Sequence, residues 1–247
     1  MPRKNPFFQF KTARGGGKTS KGCNIQLFCC SFESKYKDMI TEKHFEEFIN
    51  FAHKVGDANL TMCSSGNLSW RIGNEVLISG TGSWVPEITE DKVAVLNLED
   101  GKVLNGVRPS MEHGFHLGVL RERKDVDVVL HFQSPYATAI ACRKVMPATF
   151  NFTAEVPCHV GDSIPVVPYY RPGSEELAKG VTQAMKEHNS IFLAKHGQVV
   201  CGKDFAQAFE RAMFMEMACR IAVLNGDNLN PFTDEQVQEI NKVFLGK

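Results

Sequence analysis

The chain has 247 residues, with 28 basic and 28 acidic side chains, and 43% of its residues are hydrophobic. This length and apolar content suffice for one large globular core and argue against a fibrous or fully disordered protein. No apolar run approaches the roughly 18 to 20 residues that span a bilayer, and the eight cysteines lack zinc-finger spacings. We therefore expect a cytoplasmic protein with reduced thiols, no membrane partner and no nucleic-acid partner.

Residues 1–38 differ from the rest of the chain in charge and in pattern. They carry eight Lys and Arg residues against Glu33 and Asp38, a net charge of +6, so the remainder of the chain has a net charge of −6. They show neither a helical nor a strand period. The sequence therefore predicts a basic, disordered N-terminal extension over residues 1–38 and a single domain over residues 39–247.

The predicted elements begin just after Met39 with an amphipathic helix that is followed by strands. Apolar residues recur at helical spacing in this helix: Phe45, Phe48, Ile49, Ala52 and Val55. Turn residues then separate short β-rich runs, which predicts two hairpins. The first joins Leu68–Ile72 to Val76–Ile78 through Gly73-Asn74, and the second joins Val93–Leu98 to Val103–Leu104 through Asp100-Gly101.

The second half of the chain alternates helices with strands. A helix is expected from Ser110, then a strand at Val126–Ser134 that Pro135 ends, then a helix from Tyr136. Further on we expect a strand at Ile164–Pro168, a helix at Glu175–Glu187, strands at Ile191–Ala194 and Val199–Cys201, a helix at Phe205–Leu224, and a last helix capped by Thr233 and Gln236. Hairpins mixed with helices favour an α/β fold whose antiparallel or mixed sheet is covered by helices.

The strand Val126–Ser134 carries His131 and, two residues later, Gln133. Residues at positions i and i+2 of a strand share a face. Two side chains with lone pairs, side by side at a strand end, are what a metal site needs. A second histidine, His196, lies in a turn after a short strand. If it meets His131, two neutral imidazoles would bind one divalent ion, and a nearby glutamate would complete a site for metal-assisted acid–base chemistry.

Three more polar clusters lie at element boundaries. Ser64–Asn67 and Ser79–Gly82 combine hydroxyl or amide groups with glycine N–H groups that can approach an anion closely. Ser110–Glu112 lies at a helix start, where the dipole stabilises a carboxylate or a bound phosphate, and Glu112 shares a helix face with His116. Each of the first two clusters alone is typical of an ordinary turn, and Glu112 alone is typical of a glutamate in the first turn of a helix. Taken together, a phosphate site and ordinary turns both stay open.

The order of these motifs resembles that of the class II aldolase and adducin-head family, and within it the fuculose-phosphate aldolases are the most similar. The motifs are S-S-G-N-L-S, L-I-S-G-T-G, P-S-M-E-x-x-F-H, V-V-L-H-F-Q-S-P-Y-A-T-A and K-H-G-Q-V-V-C-G-K-D. The resemblance covers Ile40 to Leu245. It implies a three-layer fold in which a central, mainly antiparallel sheet is covered by helices.

The resemblance also implies roles for particular residues. Glu112 is expected to be a catalytic acid/base, and His131 and His196 are expected to bind zinc, with Gln133 in place of the third histidine. Because a glutamine oxygen is a weaker donor than imidazole, either zinc affinity falls or a carboxylate such as Glu112 joins the ligands. Glu155 is the expected second proton donor, in place of a missing tyrosine. The expected phosphate ligands are Ser64, Asn67, Thr81, Gly82 and Ser110.

The implied activity is that of a metal-dependent aldolase acting on a ketose 1-phosphate related to L-fuculose 1-phosphate. Its products would be dihydroxyacetone phosphate and a short aldehyde such as lactaldehyde, formed through an enediolate that Zn²⁺ stabilises. The resemblance further implies a homotetramer with sites between subunits. Two alternatives stay open on the same scaffold: an epimerase similar to ribulose-phosphate 4-epimerase, and a non-catalytic module like the adducin head. His131, His196 and Glu112 favour an enzyme, whereas Gln133 favours the module.

Overall fold

The computed structural model describes residues 39–226, 228–244 and 246, so the predicted extension over residues 1–38 lies outside the described residues. The helices are α1 (Glu42–Asp57), α2 (His113–Glu122), α3 (Pro135–Ala141), α4 (Glu175–Ala184), α5 (Phe205–Asn225) and α6 (Asp234–Phe244). The strands are β1 (Asn67–Ile72), β2 (Glu75–Ser79), β3 (Val93–Asn97), β4 (Val128–Phe132), β5 (Val166–Val167), β6 (Ser190–Leu193) and β7 (Gly197–Gly202). Within these described ranges, none of the helices has the length and apolar character needed to traverse a membrane.

The strands form one seven-stranded sheet in the order β3-β2-β1-β4-β7-β6-β5. Neighbouring strands are antiparallel, except that the short edge strand β5 runs parallel to β6. Each face of the sheet has its own apolar core. This arrangement confirms the predicted α/β fold with a central, mainly antiparallel sheet.

Helices cover both faces of the sheet and make a three-layer structure. On one face, Leu68 and Leu130 of the central strands belong to a core that includes Phe48 of α1, Ala137 of α3 and Ala212 of α5. On the other face, the alternate strand residues Val129 and Val199 pack with Phe115 of α2 and Val181 of α4. The alternation of strand side chains thus supplies both cores from the same strands.

The first predicted hairpin is confirmed, because β1 pairs with β2 from Ser69 opposite Ile78 to Ile72 opposite Glu75. The second predicted hairpin is confirmed only as a short contact: Leu96 and Val103 form an antiparallel bridge, and the Leu104 N–H donates to the Val95 carbonyl at 2.8 Å. The main partner of β3 is β2.

The outer edge of β3 is covered by a loop rather than by a strand. The Asn105 side chain accepts a hydrogen bond from the Val95 N–H at 3.0 Å and donates one to the Val93 carbonyl at 2.9 Å. The Asn105 amide thereby bonds two backbone groups of β3 that a longer strand at Val103-Leu104 would bond, which explains why the contact stays short.

Several predicted boundaries are also corrected. The helix expected from Ser110 begins at His113, and the helix expected to reach Glu187 ends at Ala184. The strand expected at 126–134 is limited to residues 128–132, and the strand expected at 164–168 is limited to residues 166–167.

Candidate active site

The site lies where β1, β4 and β7 meet. Asn67 at the start of β1 pairs with His131 of β4, and His196 lies in the turn directly before β7. Gly66, just before Asn67, has φ +80°, and a Cβ at this position would lie 2.7 Å from the His131 carbonyl oxygen. Only glycine fits this close approach without strain, so it sets the register that places Asn67 beside His131.

Two loops close the other side of the site. The Ser110 N–H donates to the Ser79 carbonyl and the Thr81 N–H donates to the Arg108 carbonyl, each at 3.0 Å. The Ser110 hydroxyl in turn accepts from the Glu112 N–H at 3.2 Å. These bonds hold the segment before α2 against the loop after β2, so Ser110 and Glu112 lie beside Thr81 and Gly82.

A pocket of about 280 Å³ lies between these loops. Its lining contains no Lys or Arg from the described part of the chain, so hydroxyl, amide and backbone N–H groups are the donors it offers an anion. Of the residues predicted from the sequence, those in the lining are Ser64, Asn67, Thr81, Gly82, Ser110, Glu112, His131, Gln133 and His196.

Pro172, which was not predicted from the sequence, also lines this pocket. The residue after it, Gly173, has φ +73° and lies so close to Met111 that a Cβ there would be 3.1 Å from the Met111 Cβ. The Pro-Gly pair was the available signal, since it marks a tight turn, but nothing in the sequence indicates that this turn lies against the segment before α2.

Glu112, His131 and His196 form a candidate metal centre. One ligand atom from each of the three lies within 4.8 Å of the others. His131 Nε2 is 3.5 Å from Glu112 Oε2, and His196 Nε2 is 3.7 Å from Glu112 Oε1. The buried atoms His131 Nε2 and Glu112 Oε1 have no hydrogen-bond partner within the described residues. Buried polar atoms without partners are costly unless something binds them, so these atoms fit a cation.

The protonation of both histidines suits metal binding. His131 Nδ1 donates to the Gln198 carbonyl at 2.8 Å, which leaves the Nε2 lone pair free. Burial and the nearby His131 ring lower the pKa of His196 to about 4, although Glu112 opposes the shift. His196 is therefore neutral at pH 7 and has a lone pair to offer. Two imidazoles and a carboxylate are a donor set that zinc accepts.

Asn67 links the metal centre to the interior. Its Nδ2 donates to Glu112 Oε2 at 2.9 Å, and its Oδ1 is 2.5 Å from His116 Nε2. One N–H of the amide thus remains for a substrate phosphate. The side chain predicted only as a phosphate ligand also fixes the predicted acid/base residue.

Glu155 is not among the residues that line this pocket. It lies directly before the short helical turn Val156–Val160. A hydrogen bond from its own backbone N–H lowers the pKa of Glu155, so it is a carboxylate at neutral pH. Its role as second proton donor remains a prediction, since the fold of a single chain does not place Glu155 in the pocket lining.

Residues 46–223 match the family model described as the class II aldolase and adducin N-terminal domain. The chain belongs to the class II aldolase family. It is 30% identical over 200 residues to the 3-oxo-tetronate 4-phosphate decarboxylase of Haemophilus influenzae, a match that covers 79% of this chain and 94% of the relative. It is 33% identical over 178 residues to the L-fuculose phosphate aldolase of Methanococcus maripaludis, with 72% of this chain and 93% of the relative covered.

The fold is similar to a solved L-fuculose 1-phosphate aldolase, with a TM-score of 0.76, 28% identity, and 84% of this chain and 99% of that chain covered. The resemblance inferred from the motifs is thereby confirmed. Since its relatives include both aldolases and decarboxylases, this class II aldolase is an enzyme with lyase-type activity.

Proposed function

We propose that this chain is a metal-dependent aldolase that cleaves a ketose 1-phosphate, similar to L-fuculose 1-phosphate, into dihydroxyacetone phosphate and a short aldehyde such as lactaldehyde. The observation that carries the proposal is the cluster of Glu112, His131 and His196, whose ligand atoms lie within 4.8 Å of one another. This cluster lies in one pocket with the polar loops at Ser64–Asn67 and Thr81-Gly82. A site for charge stabilisation therefore adjoins a site for an anion.

His131, His196 and Glu112 would hold the divalent ion, which we expect to be Zn²⁺, and Gln133 lies in the same pocket as a further oxygen donor. When bound, such an ion supplies positive charge to the two oxygens of the enediolate that remains after the carbon–carbon bond breaks. The donor set fits, because His131 Nε2 and Glu112 Oε1 are buried and otherwise unpartnered.

The remaining residues would orient the substrate and move protons. Neutral donors would hold the phosphate and so fix the ketone and its neighbouring hydroxyl toward Glu112: Ser64, Asn67, Thr81, Gly82 and Ser110. Glu112 would exchange a proton with the hydroxymethyl carbon of dihydroxyacetone phosphate. Glu155 would exchange a proton with the aldehyde oxygen. Since Glu155 is outside the pocket of its own chain, this role requires the proposed homotetramer, in which sites form between subunits.

Decarboxylation is a second candidate, because a 3-oxo-tetronate 4-phosphate decarboxylase is among the relatives. That substrate and fuculose 1-phosphate share one fragment, a ketone between a phosphorylated carbon and a hydroxylated carbon. Loss of CO₂ from the first and loss of an aldehyde from the second leave the same enediolate of dihydroxyacetone phosphate.

The two reactions differ in the leaving group. An aldehyde leaves only if a base takes the proton from the hydroxyl group on the carbon that becomes the aldehyde. CO₂ leaves from a carboxylate that is already ionised, so this step needs no base. Glu112 is the only Asp or Glu among the described residues that line the pocket. A site with this single carboxylate suffices for decarboxylation, and aldol cleavage requires a second group such as Glu155.

The shared half-reaction gives the first test. Dihydroxyacetone phosphate is incubated in D₂O with the zinc-loaded protein, and loss of the hydroxymethyl proton signal is followed by NMR. We expect exchange with the wild type and with Glu99→Gln, a control on an exposed loop, but none with Glu112→Gln. An absence of exchange with the wild type would overturn the proposal.

Product analysis then separates the candidates. Release of dihydroxyacetone phosphate and lactaldehyde from L-fuculose 1-phosphate supports the aldolase, and release of CO₂ from 3-oxo-tetronate 4-phosphate supports the decarboxylase. Interconversion of pentulose phosphates without release of triose phosphate would contradict both and identify an epimerase. Metal content of the purified protein, measured by mass spectrometry, tests whether zinc is the bound ion.

A further inference from the structure

A buried histidine beneath the site, His116, is used by none of the steps above. It lies on α2, one turn after Glu112, and is completely buried. Its ring is hydrogen bonded at both nitrogens. Nε2 is 2.5 Å from Asn67 Oδ1, and Nδ1 is 2.8 Å from the hydroxyl oxygen of Ser69, which is also completely buried.

These bonds continue to the metal centre as a single chain of contacts. Asn67 and Ser69 share one face of β1, since they are two residues apart in the strand, and this face is the one covered by α2. The next hydrogen bond in the series runs from Asn67 Nδ2 to Glu112 Oε2 at 2.9 Å. The other carboxylate oxygen, Oε1, lies 3.7 Å from His196 Nε2 and has no hydrogen-bond partner within the described residues.

The chemistry of the groups fixes the direction of every bond in this chain. An ionised Glu112 can only accept, so Asn67 must point its NH₂ group toward the carboxylate and its oxygen toward His116. The oxygen can only accept, so His116 Nε2 must carry the proton. A neutral imidazole then has a lone pair at Nδ1, and the Ser69 hydroxyl must donate to it.

Two features keep the ring neutral and in one orientation. Burial and the neighbouring His131 and His113 lower the pKa of His116 well below its usual range. The Phe115 ring stacks on His116 with the ring centroids 4.6 Å apart and helps to fix the orientation of the imidazole. A fully satisfied buried network of this kind holds its members in one orientation.

We propose that His116 is a positioning residue which, as a neutral ring protonated at Nε2, fixes the Asn67 amide and thereby holds Oε2 of Glu112 beside His131 while Oε1 faces His196. The functional part of this inference rests on the proposed role of Glu112 as the acid/base. Without the His116 N–H, the Asn67 amide is free to rotate and present its oxygen to the carboxylate, which would turn Glu112 away.

The first test requires no substrate. Long-range ¹H–¹⁵N NMR correlation of the zinc-loaded wild type distinguishes the protonated from the unprotonated ring nitrogen of each histidine. We expect the proton of His116 on Nε2, and the spectrum of His116→Leu assigns the signals. A proton on Nδ1, or on both nitrogens, at neutral pH would overturn the proposal whether or not the protein turns over any sugar phosphate.

The second test measures the consequence for Glu112. In the dihydroxyacetone phosphate exchange assay, we expect kcat to fall about 10- to 100-fold in His116→Leu, a loss typical of residues that orient a functional side chain. KM should change less than kcat, because Asn67 is the one proposed phosphate donor that is hydrogen bonded to His116 among the described residues. His116→Gln, whose amide can donate near the position of Nε2, should restore much of the rate.

Two further variants are measured in the same assay: Ser69→Ala as a milder change to the hydrogen-bond network, and His53→Gln as a control. Ser69→Ala should lower kcat by less than His116→Leu and shift some of the His116 proton to Nδ1, and it remains informative if His116→Leu does not fold. His53 bonds the Ile88 carbonyl away from the pocket, so His53→Gln should leave the rate unchanged. Equal kcat values for His116→Leu and the wild type would refute the positioning role, whereas a wild type without exchange would refute the proposed function and leave the NMR test valid.

Discussion

Gln133 is the residue at which this site departs most from a three-histidine zinc centre. It lines the same pocket as His131 and His196, and we propose its side-chain oxygen as a further donor to the ion. An imidazole nitrogen is the stronger zinc donor. We expect Gln133→His to raise zinc affinity by about tenfold or more, or ~1.4 kcal/mol, as measured by competition with a chelating dye. Gln183→His on the exposed face of α4 is the matched control, and equal affinities for both variants and the wild type would mean that Gln133 does not face the ion.

Gly197 shows how closely the backbone approaches His131, one of the proposed metal ligands. A Cβ here would lie 2.6 Å from the Phe132 carbonyl oxygen and 3.1 Å from His131 Cε1. We expect Gly197→Ala to displace the His131 ring, weaken zinc binding, and lower the free energy of unfolding by about 1–3 kcal/mol. Urea denaturation and zinc titration measure the two effects. Gly106→Ala, with φ +77° but open space around it, should cost about 1 kcal/mol and leave zinc affinity intact.

His116 also makes stability depend on pH. Because burial lowers its pKa well below the usual value, the unfolded chain takes up a proton as the pH falls through about 6.5, whereas the folded chain does not. The free energy of unfolding therefore decreases toward acid pH, by up to about 1.4 kcal/mol per pH unit from this group. Urea denaturation of the metal-free protein at about pH 7 and about pH 5 should show a smaller decrease for His116→Gln than for the wild type. An identical decrease in both proteins would contradict a buried neutral ring.

At the scale of elements, α2 and α4 cross at small residues. A Cβ on Gly118 of α2 would meet the Thr182 side chain of α4, 3.2 Å from its Cβ and closer still to its hydroxyl. We expect Gly118→Ala to lower the free energy of unfolding by about 1–3 kcal/mol, measured by urea denaturation. Adding Thr182→Ala should restore most of the loss, because it removes the clashing atoms. Losses that simply add would show that the helices do not touch at this point.

Locally determined features of the fold could be predicted from the sequence. The Gly73-Asn74 turn specifies the β1–β2 hairpin, and the capping box at the start of α6 forms as expected, with the Gln236 N–H donating to Thr233 Oγ1 at 3.3 Å. The pairing of β3 with β2 could not be predicted, because it depends on which neighbour covers the edge rather than on the turn at Asp100-Gly101. Local signals determine a turn, whereas strand partners are chosen by packing.

The same distinction explains which part of the site was predictable. His131, His196 and Glu112 are marked by motifs at element ends, so their convergence could be expected. Ser69 carries no such mark, since a serine within a strand is usually unremarkable in a sequence. Only the packing of α2 on β1 brings its hydroxyl within 2.8 Å of the His116 ring and completes the chain of bonds to Glu112.

At the scale of the whole molecule, Glu155 and the pocket raise the question of assembly. One folded chain places Glu112 in the pocket and Glu155 outside its lining. Both can act on one substrate if a second subunit supplies Glu155. The proposed homotetramer, detected by native mass spectrometry as a mass of four chains, would allow this, because each closed symmetric interface repeats the same contact for every subunit.

Mixed oligomers test this arrangement for aldol cleavage. Glu112→Gln and Glu155→Gln should each be inactive alone, since the first lacks the group that returns a proton to the enediolate carbon and the second lacks the base that takes the proton of the aldehyde-forming hydroxyl. The two variants are then unfolded together in equal amounts and refolded. Because the two residues of a site come from different subunits, about a quarter of the sites should contain both glutamates after random mixing. The mixture should therefore regain about a quarter of the wild-type activity. A mixture of Glu112→Gln with Glu112→Ala is the control and should remain inactive. If the first mixture also stays inactive, Glu155 does not complete the site of a neighbouring subunit. If Glu155→Gln alone cleaves the ketose phosphate at the wild-type rate, Glu155 is not the group that exchanges a proton with the aldehyde oxygen.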